Sequence, residues 1–134
     1  MTATLRIEPR WTDFDPAGHV TNSVYLVYAE EARAKYLRAA LPSAWGMFVV
    51  VNNSLDYHSP VEADETLDIT SGVETVGRSS CTTVSVIATT DGRRCATVRT
   101  VQVVLREDRK ATRPWTDAER ASLEELATQA PGAL

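Results

Sequence analysis

The sequence lacks the features that mark several large classes of protein. Nowhere does it contain 18 consecutive apolar residues, the length expected of a membrane-spanning helix. Lys and Arg number 14 against 18 Asp and Glu, so the net charge is −4, and no long run of like charge supplies the cationic surface that nucleic acids require. We therefore predict a soluble cytoplasmic protein whose main partner is neither a membrane nor a nucleic acid.

Cysteine is also scarce. The two cysteines, Cys81 and Cys95, have neither the CxxC spacing nor the Cys/His spacing of a redox or metal site. We expect both to be small residues within strands of a protein that works in a reducing compartment.

What the sequence does have is the composition of an ordinary globular protein. Hydrophobic residues make up 43% and charged residues 24% of its 134 residues, which fits one domain over residues 1–134. The patterns predict a strand at 4–11, a long helix from about 23 to 41, four antiparallel strands, and a short C-terminal helix behind the capping-box sequence TDAE at 116–119. This order predicts an α+β fold in which the long helix covers one face of a five-stranded antiparallel sheet.

The strand region carries two further signals. The dipeptide Asp-Gly at 91–92 is a favoured hairpin turn, and successive hairpins predict an antiparallel meander. The apolar run at 47–51 predicts an exposed sheet edge, which favours the pairing of two subunits.

The stretch TDFDPAGHVTNSVYLVYAEEARAKYL, residues 12–37, concentrates polar chemistry in front of the long helix. Two carboxylates, an imidazole and an asparagine stand where a Ser or Thr alone would cap a helix. Pro16 fixes φ and Gly18 admits a positive φ, so DPAG predicts a turn.

The helix that follows changes character along its length. Its first half is apolar on all sides, so we expect other structure to wrap it. The second half carries charges that we expect to lie nearer water, among them Arg33. Glu30 and Glu31 are expected either to form a polar face or to pair with Arg33 or Lys35.

The string DFDPAGHVTNSVYLVYAEEAR resembles the signature of the 4-hydroxybenzoyl-CoA thioesterase-like branch of the hotdog superfamily. That pattern runs roughly Asp-x-Asp-x-x-Gly-His-Val-Asn-Asn-x-x-Tyr, with Glu-x-x-Arg-like residues further along the helix. Thr21 departs from it, since Asn is frequent there. The strings SPVEADETLDI and VGRSSCTTVSV extend the resemblance to about residues 5–106. The resemblance implies a helix in the curl of an antiparallel sheet, and hydrolysis of acyl-CoA thioesters at the helix N-terminus in a cleft between two subunits.

By this resemblance Asp15 is the catalytic carboxylate, acting either as the nucleophile or as the general base that activates water. The oxyanion donor is the backbone N–H at or near Asn22, where the helix dipole adds a favourable field. Judged by spacing alone, Asp15 would close an Asx turn and Asn22 would be an N-cap.

Other residues of the same stretch are candidates for substrate binding. Asp13 has as good a claim to a structural turn, and His19 either hydrogen-bonds the thioester carbonyl, orients Asp15 or packs beside the turn. Tyr25 faces the core or the acyl pocket. His58 is far away in the sequence, so no His-containing triad is predicted. The cluster has no metal-ligand spacing, and no cofactor is expected besides the coenzyme A of the substrate.

The predicted turn at Arg78, Ser79 and Ser80 stands where relatives hold the phosphates and pantetheine of coenzyme A. A guanidinium and hydroxyls suit phosphate, although the same residues are common in solvated turns. Arg93 and Arg94 in the next hairpin are interpreted as surface charges.

The sequence thus predicts an acyl-CoA thioesterase that forms a homodimer or homotetramer, with an acyl-CoA or an acyl-carrier-protein thioester as substrate. The alternative is a hotdog dimer that binds such a thioester without cleaving it, because a fold does not fix a function. A hydratase or dehydratase is a weaker third possibility.

Overall fold

A computed structural model describes residues 3–128 of the chain. It contains five strands, two α-helices and two short 3₁₀ turns at Trp11–Asp13 and Pro42–Ala44. In chain order the main elements are β1 (Ala3–Ile7), α1 (Val24–Ala40), β2 (Phe48–Tyr57), β3 (Leu67–Val76), β4 (Ser80–Thr89), β5 (Arg94–Val104) and α2 (Asp117–Ala127).

The strands form one antiparallel sheet in the order β1-β3-β4-β5-β2. The hairpins from β3 to β5 confirm the meander, and the predicted turn at 91–92 lies in the second of them, where Gly92 has a φ of 96°. The meander does not extend to β2, however, because β2 pairs with β5 rather than with β3. The connection at 58–66 therefore crosses one end of the sheet before β3 begins.

β1 and β2 are the two edges of the sheet. The predicted exposed apolar edge is confirmed in β2, where Val49, Val50 and Val51 are 43%, 39% and 56% exposed. A bulge lies between Val50 and Asn52. The edge that the sequence marked for subunit pairing is thus open along its length.

α1 packs across one face of the sheet and joins two groups of buried side chains. The group at the N-terminal end of the helix includes Tyr25, Tyr28 and Ile69, and the group at its C-terminal end includes Leu37 and Val104. The helix therefore runs from one end of the sheet to the other, and its N-terminus meets the end where β2 finishes.

Two expectations for α1 were wrong. Val27 in its apolar first half is 52% exposed, because the sheet covers one side of the helix and Val27 faces away from it. Arg33 in its second half is buried and donates from Nη1 to Thr100 Oγ1 at 3.0 Å. Among the described residues, neither Glu30 nor Glu31 forms an ion pair with Arg33 or Lys35.

The predicted C-terminal helix is present as α2. Thr116 caps it, accepting from the Glu119 N–H at 3.1 Å while its own N–H donates to Glu119 Oε1 at 2.9 Å. Leu123 is fully buried in the group around Leu37. Across residues 3–128, no helix has the length and apolar character needed to cross a membrane.

Candidate active site

The turn before α1 is closed by both the backbone and the side chain of Asp15. Its Oδ1 accepts from the N–H groups of Ala17 at 2.9 Å and His19 at 3.2 Å, and its carbonyl accepts from Gly18 N–H at 3.0 Å. Gly18 has a φ of 83°, the positive value that the sequence predicted. The predicted Asx turn therefore exists, and it holds one carboxylate oxygen while Oδ2 has no hydrogen-bond partner among the described residues.

Between this turn and α1 two backbone donors are left over. Thr21 N–H donates to the Asp13 carbonyl at 2.8 Å, and Val24 N–H donates to the Thr21 carbonyl at 2.9 Å. The N–H groups of Asn22 and Ser23 lie between them, and neither has an acceptor in the part of the chain that the structure describes. Ser23 is the N-cap of α1, and its side chain makes no capping bond. These free N–H groups sit at the positive end of the helix dipole.

Asp15 and Asn22 line one cleft of about 270 Å³. The helix entrance supplies one wall and the segment after β2 supplies the other. The lining residues are Asp15, His19, Val20, Asn22, Tyr25, Tyr57, His58, Ser59 and Pro60. A residue with a free carboxylate oxygen and a residue with a free backbone N–H thus line the same space, and an attack on a carbonyl uses groups of both kinds.

A larger concavity of about 970 Å³ lies on the other side of the Asp15 turn. Its wall includes Pro9, Trp11 and Phe14, and Trp11 is 89% exposed. Its rim carries the carboxylates of Glu8, Asp64 and Glu65, and Glu65 is paired with Arg93. Asp15 therefore stands between two spaces, a polar cleft and a wider groove.

The wall that comes from the end of β2 was not predicted from the sequence. Tyr57 donates from its hydroxyl to the Asn22 carbonyl at 2.9 Å, although 35 residues separate the two. His58 lines the cleft beside it, with Nε2 2.9 Å from Thr97 Oγ1. Although His58 is far from the helix entrance in the sequence, the end of β2 brings it to the cleft in space.

Tyr25 serves both the core and the cleft, as the sequence left open. It is 2% exposed, its hydroxyl accepts from the Val61 N–H at 3.2 Å, and its ring meets that of Tyr57 edge-on at a centroid distance of 5.2 Å. Burial raises the pKa of Tyr25, so the hydroxyl keeps its proton at neutral pH.

His19 follows the turn and also lines the cleft. Its side chain is 40% exposed, and Nε2 lies 3.9 Å from Glu62 Oε1. Its backbone pairs with the strand-like segment at Glu62. The His19 side chain is thus partly exposed in the cleft that Asp15 also lines.

Asp13 lies in the interior and lines neither space. It is 2% exposed, and its carboxylate accepts from Tyr28 Oη at 2.6 Å, from Arg10 N at 2.9 Å and from Arg10 Nη2 at 3.1 Å. Burial by itself would raise the pKa of Asp13, but the hydrogen bonds from Tyr28 and Arg10 outweigh it and hold the pKa below its usual value. This environment favours the structural alternative for Asp13.

Arg78, Ser79 and Ser80 are at the opposite end of the sheet from Asp15. They form the turn between β3 and β4, and the Arg78 and Ser80 carbonyls accept from the Trp115 N–H at 3.1 Å and from Trp115 Nε1 at 3.0 Å. β3 has ten residues, so its two ends are about 30 Å apart at 3.3 Å per residue. Within one chain the structure therefore does not bring this turn to the cleft.

Neither cysteine belongs to the site. Cys81 and Cys95 are free and buried in β4 and β5, and burial raises the pKa of Cys81 to about 11. Within residues 3–128, no three His, Cys, Asp or Glu side chains are grouped closely enough to hold a metal ion.

Comparisons with known proteins agree with the fold. A family model described as the thioesterase-like superfamily matches residues 9–125. The chain is 26% identical to a predicted thioesterase from Bacillus stearothermophilus, with a TM-score of 0.87 over 98% of this chain and 100% of that one. It is 28% identical to a thioesterase from Thermus thermophilus solved with coenzyme A and Zn, with a TM-score of 0.83 over 93% of this chain and 94% of that one.

A further relative is the uncharacterized protein YsmA of Bacillus subtilis (strain 168). It is 29% identical over 121 residues, which cover 88% of this chain and 82% of that protein. The likeness therefore extends over nearly the whole length in sequence as well as in structure.

Proposed function

Since the chain belongs to the thioesterase-like superfamily, we propose that it hydrolyses an acyl-CoA thioester to a free acid and coenzyme A. Membership confirms the predicted hotdog fold and the predicted class of enzyme, a thioester hydrolase. The acyl-CoA substrate and the catalytic residues are what we propose beyond that class. The observation that carries the proposal is that Asp15, with its free Oδ2, and Asn22, with its free N–H, line one cleft.

Asp15 supplies the attack on the thioester carbonyl. In one route Oδ2 takes a proton from water, the resulting hydroxide adds to the carbonyl carbon, and the carbonyl oxygen becomes an oxyanion. In the other route the carboxylate adds directly and forms an acyl anhydride that water then cleaves. In the first route, collapse of the tetrahedral species breaks the C–S bond and the proton held by Asp15 passes to the thiolate of coenzyme A. In the second, the thiolate leaves as the anhydride forms and takes its proton from water. The hydrogen bonds at Oδ1 fix the carboxylate for either route.

The N–H groups of Asn22 and Ser23 receive the oxyanion. An oxyanion needs donors that are already in place, because reorienting them during the reaction costs free energy. These two N–H groups are unpaired within the described residues and are held by the start of α1. Base catalysis contributes about 10²- to 10⁴-fold, so this second contribution is needed for efficient turnover.

The acyl group and the pantetheine of the substrate extend from Asp15 in different directions. The polar cleft and the wider groove lie on either side of the Asp15 turn. A thioester bound at Asp15 therefore has room for its acyl group on one side and its pantetheine on the other. The exposed carboxylates of Glu8 and Asp64 on the rim of the groove disfavour phosphate there, so we expect the nucleotide end of coenzyme A to lie elsewhere.

In this proposal the nucleotide end of coenzyme A binds to a second subunit. Two-fold antiparallel pairing through the open edge of β2 sets the Tyr57 end of one strand beside the Phe48 end of its partner. The turn with Arg78 of the partner subunit then reaches the same end of the joined sheet as the cleft. It lies three or four strands across, which is roughly 15–20 Å at 4.8 Å per strand. Its guanidinium, with Ser79 and Ser80, offers donors to phosphate at that distance.

The test is thiol release from a panel of acyl-CoAs with short, long and aromatic acyl groups. We expect Asp15→Asn to lower kcat at least 100-fold on the best substrate. Asp117→Asn is the matched control, because it makes the same chemical change in α2, at the far end of the sheet. If Asp15→Asn kept activity within threefold of the parent, the role of Asp15 would be wrong. If the parent released no thiol but bound acyl-CoA saturably, the protein would be a binding module.

A further inference from the structure

Tyr57 ties the strand side of the cleft to the helix side. It is the last residue of β2, and its hydroxyl donates to the carbonyl of Asn22 at 2.9 Å. Asn22 precedes the N-cap of α1 by one residue. A side chain from the sheet edge is therefore bonded to the backbone that carries the free N–H groups.

The tyrosine ring is held in place although half of it is exposed. Tyr57 is 50% exposed, but its ring packs edge-on against Tyr25 at 5.2 Å and an interplanar angle of 85°. Tyr25 is buried, and its hydroxyl accepts from the Val61 N–H. Edge-to-face pairs are favourable in themselves, so the hydroxyl of Tyr57 reaches Asn22 from a fixed support.

The hydrogen bond from Tyr57 acts on the peptide group between Asn22 and Ser23, whose N–H is a free donor. The carbonyl of Asn22 and the N–H of Ser23 belong to one planar peptide group. A hydrogen bond to the carbonyl fixes the plane of that group and polarises it, which makes its N–H a stronger donor. Neither Ser23 N–H nor the neighbouring Asn22 N–H has a partner among residues 3–128.

We infer that Tyr57 is a positioning residue that holds and polarises the peptide between Asn22 and Ser23 for binding of the oxyanion. The inference rests on the proposed function, because it needs a thioester carbonyl to become an oxyanion in the cleft. Tyr57 then acts through the backbone donors and not through substrate binding. Its contribution appears in the transition state and therefore in kcat rather than in KM.

The kinetic test compares Tyr57→Phe with the parent on the best acyl-CoA. Phe keeps the ring against Tyr25 and removes only the hydroxyl, so we expect an unchanged fold, kcat lowered roughly tenfold and KM within twofold. Tyr36→Phe is the control, because Tyr36 lies in the other buried group at the far end of α1. Circular dichroism and the melting temperature establish that both variants fold.

A spectroscopic test measures the polarisation of the bound thioester carbonyl directly. In the Asp15→Asn background, infrared spectra of bound acyl-CoA with a ¹³C-labelled thioester carbonyl report how strongly that carbonyl is polarised. We expect its stretch to lie below the value in water, and adding Tyr57→Phe to move it back upward. A purely structural role for Tyr57 would leave this frequency where it was.

The outcomes separate the inference from the proposed function. An active parent with unchanged kcat in Tyr57→Phe and an unchanged carbonyl frequency overturns the inference and leaves the thioesterase intact. A rise in KM with constant kcat also overturns it, because Tyr57 would then contact the substrate. An inactive parent that binds no acyl-CoA overturns both.

Discussion

Arg93 donates two hydrogen bonds to the carboxylate of Glu65, from Nη1 to Oε2 at 2.9 Å and from Nη2 to Oε1 at 2.8 Å. The same guanidinium donates to Ser59 Oγ at 3.1 Å and to the Pro60 carbonyl at 2.9 Å. Arg93 is a surface charge, as interpreted from the sequence, with 44% of its side chain exposed, but it also makes these specific bonds. It fastens the crossing connection at 58–66, and Ser59 and Pro60 in that connection line the cleft.

Replacing Arg93 by Lys is expected to loosen this wall. Lys keeps the charge but lacks the planar fork that bonds Glu65 and the connection together. We expect the backbone amides at 61–66 to exchange hydrogen faster and KM for acyl-CoA to rise, with a smaller change in kcat. Hydrogen exchange followed by mass spectrometry and steady-state kinetics measure the two effects.

Arg99→Lys is the control for that change. Arg99 pairs with Glu74 at 3.0 Å and 3.2 Å, and neither residue lines the cleft. The double variant Arg93→Lys with Glu65→Gln should change KM and hydrogen exchange no more than the more affected single variant does. The reason is that each single substitution already breaks the same contact, the pair between Arg93 and Glu65. Strictly additive losses would contradict a shared role.

The buried carboxylate of Asp13 predicts a pH dependence of stability. Its pKa is lower in the folded protein than in the unfolded chain, so its contribution is fully present above the unfolded value, about 4, and is lost as the pH falls through the folded value. Asp13→Asn should lower the free energy of unfolding by about 2 kcal/mol at pH 7, since hydrogen bonds to a charged group contribute about that much.

Urea unfolding between pH 7 and pH 3 checks this prediction. The difference between the parent and Asp13→Asn should shrink below about pH 4 as Asp13 becomes protonated in the parent. Glu8→Gln makes the same carboxylate-to-amide change at an exposed side chain and should leave the curve of the parent nearly unchanged. A constant difference at every pH would mean that the charge of Asp13 does not stabilise the fold.

The part of the site that is local in sequence was predictable. Asp15, Gly18 and Asn22 fall within eight residues, so one turn and one helix start determine their relation, and the spacing together with the resemblance located them. The confirmed fold follows from similar short-range signals: the Asp-Gly turn, the alternating strands and the capping box of α2.

The other wall depends on contacts that sequence spacing does not encode. Tyr57 and His58 reach Asn22 and Thr97 because β2 pairs with β5 and the chain then crosses the end of the sheet. Arg33 shows the same limit. A charge on a helix is usually solvated, and its burial depends on Thr100, which lies 67 residues further along the chain.

The open edge of β2 predicts how subunits pair. Val51 lies at the bulge of β2 and is 56% exposed, and a Lys on a strand edge opposes pairing with another edge. We expect Val51→Lys to shift the protein from dimer to monomer in sedimentation velocity experiments. Thr4→Lys places the same charge on β1, the opposite edge, and should leave the dimer intact. If Thr4→Lys dissociated the dimer and Val51→Lys did not, the subunits would pair through β1.

A mixed dimer tests whether one site uses two subunits. Suppose that one protomer carries Asp15→Asn and its partner carries Arg78→Glu, and that the two are co-expressed with different tags and purified as the heterodimer. If each site combines Asp15 of one protomer with Arg78 of the other, one site contains both substitutions and the other contains neither. The heterodimer should then show about half the activity of the parent at substrate concentrations below KM, although each variant homodimer is nearly inactive there.

If instead each site lay within one chain, both sites of the heterodimer would be defective and its activity would equal the mean of the two homodimers. Arg106→Glu in place of Arg78→Glu is the control, because Arg106 pairs with Asp108 at 3.1 Å outside the predicted phosphate turn. A homodimer with Arg106→Glu should hydrolyse acyl-CoA as the parent does. The two arrangements therefore predict activities that one purified heterodimer distinguishes, because a separation of about 30 Å within one chain leaves the partner subunit as the source of Arg78.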